Sequence, residues 1–247
     1  MLQAKEAWVQ AAIEESHAQG KRVAVHATQR EMARAAVEVG ADILVHSIED
    51  KAVDPALIQR LKARGVSYIT TFMVQEGYRE VLGQDIELSP IEQRMGDPQV
   101  IATFNDLAKL QPWRGWLGAL SSFSLPPLMG HNLKHLQEQG VTIAAGTDAG
   151  NIGTLHGPAL HRELELMAQA KLSPLEILVA ATQGGAQVMG RESELGTIET
   201  GKLADLLLLE ADPLEDIRHT RQIYRIVKGG TVLDPEQILK HLENPWE

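Results

Sequence analysis

The sequence predicts an α/β protein built around a parallel sheet, and three observations support this. Stretches with helical spacing of apolar residues alternate with short apolar runs, and glycines close several of the helices. The apolar runs resemble strands that are buried on both faces. A polar residue follows each run, at the edge where α/β proteins place their chemistry. Such alternation requires right-handed parallel crossovers, so it fits either a barrel or a doubly wound sheet.

The elements follow this rhythm from the first residues. Gly20, Gly40 and Gly65 end the first three helices, and Ser173-Pro174 supplies an N-cap and a first-turn proline for the last one. Helices are predicted at residues 4–19, 30–39, 54–64, 98–110, 127–139, 158–170 and 174–189. Parallel strands are predicted at residues 22–27, 43–46, 66–73 and 141–148.

Two regions depart from the alternation. Residues 75–128 form a long insertion, with loops predicted at 85–98, 111–116 and 121–124, and such an insertion usually covers or shapes an active-site mouth. From Leu195 the pattern changes to short strands and turns, with strands predicted at 196–198, 204–210, 222–228 and 231–233. We therefore expect an α/β part over residues 1–194 and a small β unit over residues 195–247.

Composition excludes several classes of function. A net charge of −10 argues against non-specific nucleic-acid binding, because a polyanion would be repelled over most of the surface. The absence of cysteine excludes disulfides, thiolate metal sites and a cysteine nucleophile. No run approaches the roughly 18 apolar residues that span a bilayer, and the N-terminus lacks an apolar signal core. We expect a cytoplasmic protein that acts on a small-molecule substrate and binds neither nucleic acid nor membrane.

Three metal-capable side chains stand at predicted strand ends. His26 and His46 end the first two strands, and Asp148 ends the fourth. The carboxyl ends of parallel strands share one rim, where two imidazoles and a carboxylate can bind a divalent ion with positions left for water. A single strand-end histidine often only bonds a loop carbonyl, but three such residues favour a site. His156, at a helix start soon after Asp148, is a candidate substrate contact.

The remaining histidines are weaker candidates for a role in the site. His131 and His135 are spaced to chelate from one helix face, but Asn132 stands where the metalloprotease pattern needs a glutamate. We therefore predict that this pair lies on a solvated helix face and that His161 is a packing residue.

Eight short motifs are spread over nearly the whole chain: VAVHA at 23–27, LVH at 44–46, AGTDAG at 145–150, HRELELM at 161–167, SPLE at 173–176, AAT at 180–182, LGTIETGKLADL at 195–206 and DPL at 212–214. With these motifs the sequence resembles the amidohydrolase superfamily, in its imidazolonepropionase-like and Xaa-Pro dipeptidase branch. The resemblance implies a partial (β/α) barrel of the TIM type, containing the equivalents of strands five to eight. It also implies that the C-terminal β unit belongs to a small appended β-sandwich.

The same resemblance implies roles for the strand-end residues. His26 and His46 would bind the second metal of a binuclear site, and Asp148 would bind the first metal and act as the catalytic base. The activity would be hydrolysis of carbon–nitrogen bonds in amides, peptides or cyclic amides by metal-activated water. The expected cofactor is one or two divalent ions, with Zn favoured and Mn, Fe or Co compatible with the same ligands.

The departures from the family concern its first half. No His-x-His pair occurs, and Lys5 lies too near His26 to be the family's bridging lysine. We therefore expect strands one to four to be absent, which leaves open sheet edges. The edges would be closed by another polypeptide carrying the missing half or by a second copy in a homo-oligomer. The alternative interpretations are a truncated, catalytically incomplete half and an esterase-like hydrolase with a mononuclear site.

Overall fold

The structure is a computed structural model that describes residues 2–108 and 125–241. Its main sheet has four parallel strands whose spatial order follows the chain. They are β1 (Ala24–His26), β2 (Ile43–Val45), β3 (Ser67–Ile69) and β4 (Ile143–Ala144). The predicted parallel sheet is thus confirmed. Each strand is shorter than the apolar run from which it was predicted.

The helices lie between and after these strands. They are α1 (Leu2–Ala18), α2 (Arg30–Glu38), α3 (Pro55–Arg64), α4 (Phe72–Gly83), α5 (Pro90–Met95), α6 (Pro98–Ala108), α7 (Pro127–Glu138), α8 (Ala159–Gln169), α9 (Pro174–Val179), α10 (Gly185–Val188) and α11 (Pro235–His241). A π-helical turn (Ala180–Gly184) joins α9 to α10, and a 3₁₀ helix (Ile217–Arg221) precedes the last strands. The loops predicted at 111–116 and 121–124 lie outside the described residues.

The predicted third strand was too long. It ends at Ile69, and Phe72 and Met73 already belong to α4. The insertion also contains α5 where turns were expected. A capping box begins this helix, in which the Glu92 carboxylate accepts hydrogen bonds from the N–H and hydroxyl of Ser89.

The core lies between the sheet and the helices around it. Leu44 and Tyr68 on adjacent strands have no exposed surface, and Leu57 and Leu133 bury the apolar faces of α3 and α7 against the same cluster. At roughly 25 cal/mol per Å² of buried apolar surface, such contacts dominate the free energy of folding. Because this buried cluster packs against the strands, it holds in place the strand ends that carry the candidate site residues.

The two outer edges of the sheet differ. At β4 the π-helical turn covers the edge, because the Ala180 carbonyl accepts a hydrogen bond from the Ala145 N–H at 3.3 Å. At the opposite edge, β1 pairs with β2 alone among the described residues. The neighbouring helix α1 buries Ile13 and leaves Trp8 73% exposed. Within the described residues, the outer edge of β1 therefore has no paired strand, and the helix beside it carries an exposed tryptophan.

A second, antiparallel sheet follows in the chain. Its strands β5 (Leu206–Leu209), β6 (Ile223–Lys228) and β7 (Thr231–Leu233) pair in sequence order, and α11 packs on β6. The strand predicted at 196–198 is wrong: this segment turns at Gly196 (φ 91°), where a Cβ would lie 2.7 Å from the Cβ of Ala186. The segment packs closely against α10 at this glycine. The division at residue 194 stays a prediction.

The part of the chain that the structure describes contains no helix that could cross a membrane. None of the helices there combines the length and the hydropathy of a bilayer-crossing segment.

Candidate metal centre

The carboxyl ends of the parallel strands bring together His26, His46 and Asp148. His26 is the last residue of β1, His46 follows β2 directly, and Asp148 lies four residues after β4. The His26 and His46 rings meet edge to face with their centroids 4.4 Å apart. The Nε2 atom of His46 lies 3.9 Å from Oδ2 of Asp148. His46 is therefore the central member of this group.

The backbone at this rim is unusual. His46 (φ 75°), Thr71 (φ 78°) and Asp148 (φ 52°) are non-glycine residues in the left-handed region, and they follow β2, β3 and β4 respectively. For a β-branched residue such as Thr71 this conformation is a clear outlier, with a cost of about 1–3 kcal/mol. Three such residues at adjacent strand ends indicate that the surrounding structure holds them there.

His46 sits in a partly desolvated position. Its side chain is 15% exposed, and its Nδ1 lies 2.7 Å from the hydroxyl oxygen of Thr71. Burial lowers the pKa of His46, the neighbouring His26 lowers it further, and Asp148 opposes the shift. The lowered pKa favours the neutral form of the ring, which is the form that binds metal ions.

Asp148 is more open and is oriented by its own loop. Its side chain is 44% exposed. The Asn151 side-chain amide donates to Oδ2 of Asp148 at 2.7 Å. The carboxylate can therefore meet solvent or substrate while one oxygen is kept in place.

His156 lies beside the same loop. The residue is exposed, and its ring covers Gly150, where an added Cβ would be 3.4 Å from Cε1 of His156. Gly150 is two residues from Asp148. The position suits a side chain that contacts substrate, and this role stays a prediction.

The chemistry of the donor set suits a divalent ion, and one separation within it can be compared with that of a metal site. Ligand atoms bound tetrahedrally to one zinc at about 2.0–2.2 Å lie roughly 3.3–3.6 Å apart. The 3.9 Å between His46 Nε2 and Asp148 Oδ2 is close to that separation. Within residues 2–108 and 125–241, however, no group of three or more His, Asp or Glu side chains is already arranged to hold a metal ion. The three-ligand set stays a prediction built on two observed contacts.

The other histidines agree with their sequence interpretation. The His131 and His135 rings stack in parallel, 6.2 Å apart, on α7, and His131 is exposed. Nδ1 of the half-buried His161 lies 3.1 Å from the hydroxyl oxygen of Thr220. His161 is a packing residue, as predicted.

Sequence reasoning missed three residues that shape the site: Thr71, Asn151 and Glu163. The strand predicted at 66–73 places Thr71 in its interior, so the sequence does not indicate its position beside His46. Asn151 follows the AGTDAG motif directly, and an Asn three residues after an Asp is a signal for a local side-chain bond. Glu163 belongs to a motif that carried the family resemblance, but nothing local indicated its partners.

A comparison with family models decides the classification. The model described as the amidohydrolase family matches residues 1–233. The chain belongs to the amidohydrolase family. Members of this family are typically dependent on divalent metals, which agrees with the donor set at the strand ends.

Curated relatives of this amidohydrolase include an ochratoxinase and an imidazolonepropionase. The ochratoxinase of Aspergillus niger is 25% identical over 239 residues, which cover 95% of this chain and 41% of that protein. The imidazolonepropionase of Shouchella clausii (strain KSM-K16) is 31% identical over 114 residues, covering 42% of this chain and 25% of that protein.

Solved structures similar to this amidohydrolase show its fold. A Xaa-Pro dipeptidase with bound methionine in the active site has a TM-score of 0.66 at 23% identity, covering 93% of this chain and 48% of that one. The fold is therefore a TIM-like α/β fold, and this chain spans less than half the length of these relatives. The assignment of its four strands as five to eight, and closure into a barrel, stay predictions.

Proposed function

We propose that this chain carries the His26, His46 and Asp148 part of a metal-dependent hydrolase that cleaves carbon–nitrogen bonds. The observation that supports it is the convergence of these side chains at the carboxyl ends of parallel strands, with His46 in contact with both others. Relatives named for dipeptide, ochratoxin or imidazolonepropionate chemistry favour amide, peptide or cyclic amide substrates.

Each residue has a distinct role in this proposal. His26 and His46 hold the ion through ring nitrogens, and Asp148 is both a ligand and the base that accepts a proton from water. A bound divalent ion supplies Lewis-acid polarisation of the substrate carbonyl and a lowered pKa of water. His156, at the exposed end of the Asp148 loop, contacts the substrate. Zinc is the favoured ion, at one or two per chain, and Mn, Fe or Co suit the same donors.

Hydrolysis assays on the full chain test the proposal. Dipeptides, N-acyl amino acids and esters are incubated with protein that has been supplied with Zn or Mn. Asp148→Asn should abolish turnover, as should a chelator, whereas His131→Asn, which changes an exposed histidine on α7, should leave it intact. Turnover that survives both the chelator and Asp148→Asn would refute the proposal. Cleavage of esters alone would favour the mononuclear, esterase-like reading.

A second candidate function is that of one half of a composite barrel. The edge of β1 favours it: among the described residues β1 pairs with β2 alone, and His26 is exposed there. An additional set of strands, from another polypeptide or from a second copy of this chain, would pair with β1 and cover Trp8. In that case the chain alone is catalytically incomplete.

The assembly mass separates the two candidates. Light scattering on the purified chain reports whether it is monomeric. Hydrolysis by a monomer supports a self-sufficient site. A monomer without metal and without activity supports the half-barrel role, and activity confined to a dimer supports pairing of two copies.

A further inference from the structure

Glu163 makes four hydrogen bonds at the end of β3, although it lies 90 or more residues away in the chain. Its side chain, on α8, has no exposed surface. The carboxylate accepts from the hydroxyl of Thr70 and from the backbone N–H groups of Thr71 (3.1 Å), Phe72 (3.0 Å) and Met73 (2.8 Å). These donors include the first N–H groups of α4, which a helix cannot satisfy by itself. Glu163 therefore serves as the cap of α4.

The cap also sets the backbone of Thr71. This residue has φ 78°, a conformation that a β-branched side chain rarely adopts. Its N–H is bound by Glu163, and the N–H groups of the next two residues are bound by the same carboxylate. The strained turn persists because all three donors are tied to one buried group.

Thr71, held in this way, contacts the ring of His46. Its hydroxyl oxygen lies 2.7 Å from Nδ1 of His46, while Nε2 on the other side of the ring lies 3.9 Å from Asp148. A neutral imidazole carries a proton on one nitrogen only. If Nδ1–H donates to Thr71, the lone pair of Nε2 is free on the side of Asp148, as metal binding through Nε2 requires.

We propose that Glu163 is a positioning residue for His46: by fixing Thr71 it keeps the His46 proton on Nδ1 and leaves Nε2 free to bind an ion. The consequence for metal affinity rests on the proposed function. The tautomer itself is a property of the metal-free chain, so the two can be tested separately.

The test measures the His46 tautomer in the metal-free full chain. Protein labelled with ¹⁵N-histidine is examined by long-range ¹H–¹⁵N correlation spectra, and His46 is assigned by the signal lost in His46→Asn. The wild type should show the Nδ1–H tautomer. Glu163→Gln should give a mixed or reversed tautomer, because the NH₂ group that replaces Oε2 would face the N–H of Met73, cannot accept from it, and so disturbs the cap that holds Thr71.

Zinc affinity is the second readout, measured by competition with a chromophoric chelator. Removal of an outer partner of a metal-binding histidine typically weakens affinity by about 10–100-fold. We expect that loss in Glu163→Gln and in Thr71→Val, and near wild-type affinity in Thr71→Ser, which keeps the hydroxyl.

Glu76→Gln is the matched control for burial. Glu76, on α4, has no exposed surface, and its carboxylate accepts from Arg79 and Arg162. This substitution should lower the melting temperature without changing the His46 tautomer. If Glu163→Gln does not fold, Glu163→Asp, which keeps the carboxylate on a shorter side chain, is read by the same signals.

The inference is overturned if the wild type carries its His46 proton on Nε2. It is equally overturned if a folded Glu163 variant keeps both the wild-type tautomer and the wild-type zinc affinity. A wild type that binds no zinc would count against the proposed function, and the tautomer would then decide the role of Glu163 alone.

Discussion

Replacing Asn132 by alanine would remove a buried polar clamp on the loop that follows His46. Asn132 lies on α7 and has no exposed surface. Its side chain accepts from the N–H of Val53 at 2.9 Å and donates to the carbonyls of Ile48 and Lys51, both at 3.0 Å. The substitution leaves these three backbone groups without their partner.

The expected loss in the free energy of unfolding follows from the number of backbone groups left without a partner. A hydrogen bond contributes about 1 kcal/mol net, and a buried group left unsatisfied costs about 1–3 kcal/mol. Since water can reach the Lys51 carbonyl more easily than the other two groups, we expect Asn132→Ala to lower the free energy of unfolding by about 2–4 kcal/mol. Asn132→Asp should be at least as damaging, because a carboxylate oxygen would face two carbonyls.

Urea denaturation followed by circular dichroism measures the loss. With a slope near 3 kcal/mol per M for a chain of this size, the midpoint should fall by about 1 M with an unchanged slope. His131→Ala, an exposed change on the same helix, should stay within about 0.5 kcal/mol of the wild type. A midpoint for Asn132→Ala that equals that of His131→Ala would refute the reasoning.

Two further predictions concern packing and pH. Gly184→Ala would place a Cβ 2.1 Å from the carbonyl oxygen of Ile143 in β4, so its melting temperature should drop sharply, whereas Gly185→Ala, which meets nothing within 4 Å, should keep or raise it by the helix propensity of alanine. Equal melting temperatures for the two variants would contradict the close contact at Gly184. Burial raises the pKa of Glu163 from 4.5 to about 7, against the lowering effect of its four hydrogen bonds. The folded chain therefore holds this proton more tightly than the unfolded chain, and the stability it contributes is complete below about pH 4.5 and lost as the pH rises through 7. Urea titrations between pH 4.5 and 8 should show a steeper loss for the wild type than for Glu163→Gln, and parallel curves would refute this assignment.

The sequence predicted the sheet because each strand carries its own local signals. Apolar runs bounded by glycines placed β1, β2 and β4, and the first three helices, within a few residues. The error at β3 has a physical cause. Helix α4 begins at Phe72 without a cap from its own N-cap side chain, and the cap comes from Glu163 through the folded structure. No local pattern could show that.

The start of α5 is a different kind of error. Ser89-Pro90 followed by Glu92 is a capping box with a first-turn proline, and it stands in the sequence to be read. The polar residues around it favoured a loop interpretation instead.

The sequence could propose members for the candidate site but not their geometry. His26, His46 and Asp148 could be chosen because strand ends of parallel sheets share one rim. The left-handed backbone of His46 and Thr71, and the bonds that hold it, depend on contacts between residues far apart in the chain. Sequence periodicity contains no information on such contacts.

The metal content of the purified chain tests whether His26, His46 and Asp148 form a metal site. Elemental analysis is made on a sample whose assembly mass is determined by light scattering, before and after incubation with Zn or Mn. We expect about one or two divalent ions per chain in the wild type and their loss in Asp148→Ala, with His131→Ala unchanged. A folded wild type that takes up no ion under these conditions, or an Asp148→Ala variant that retains the full complement, would contradict it.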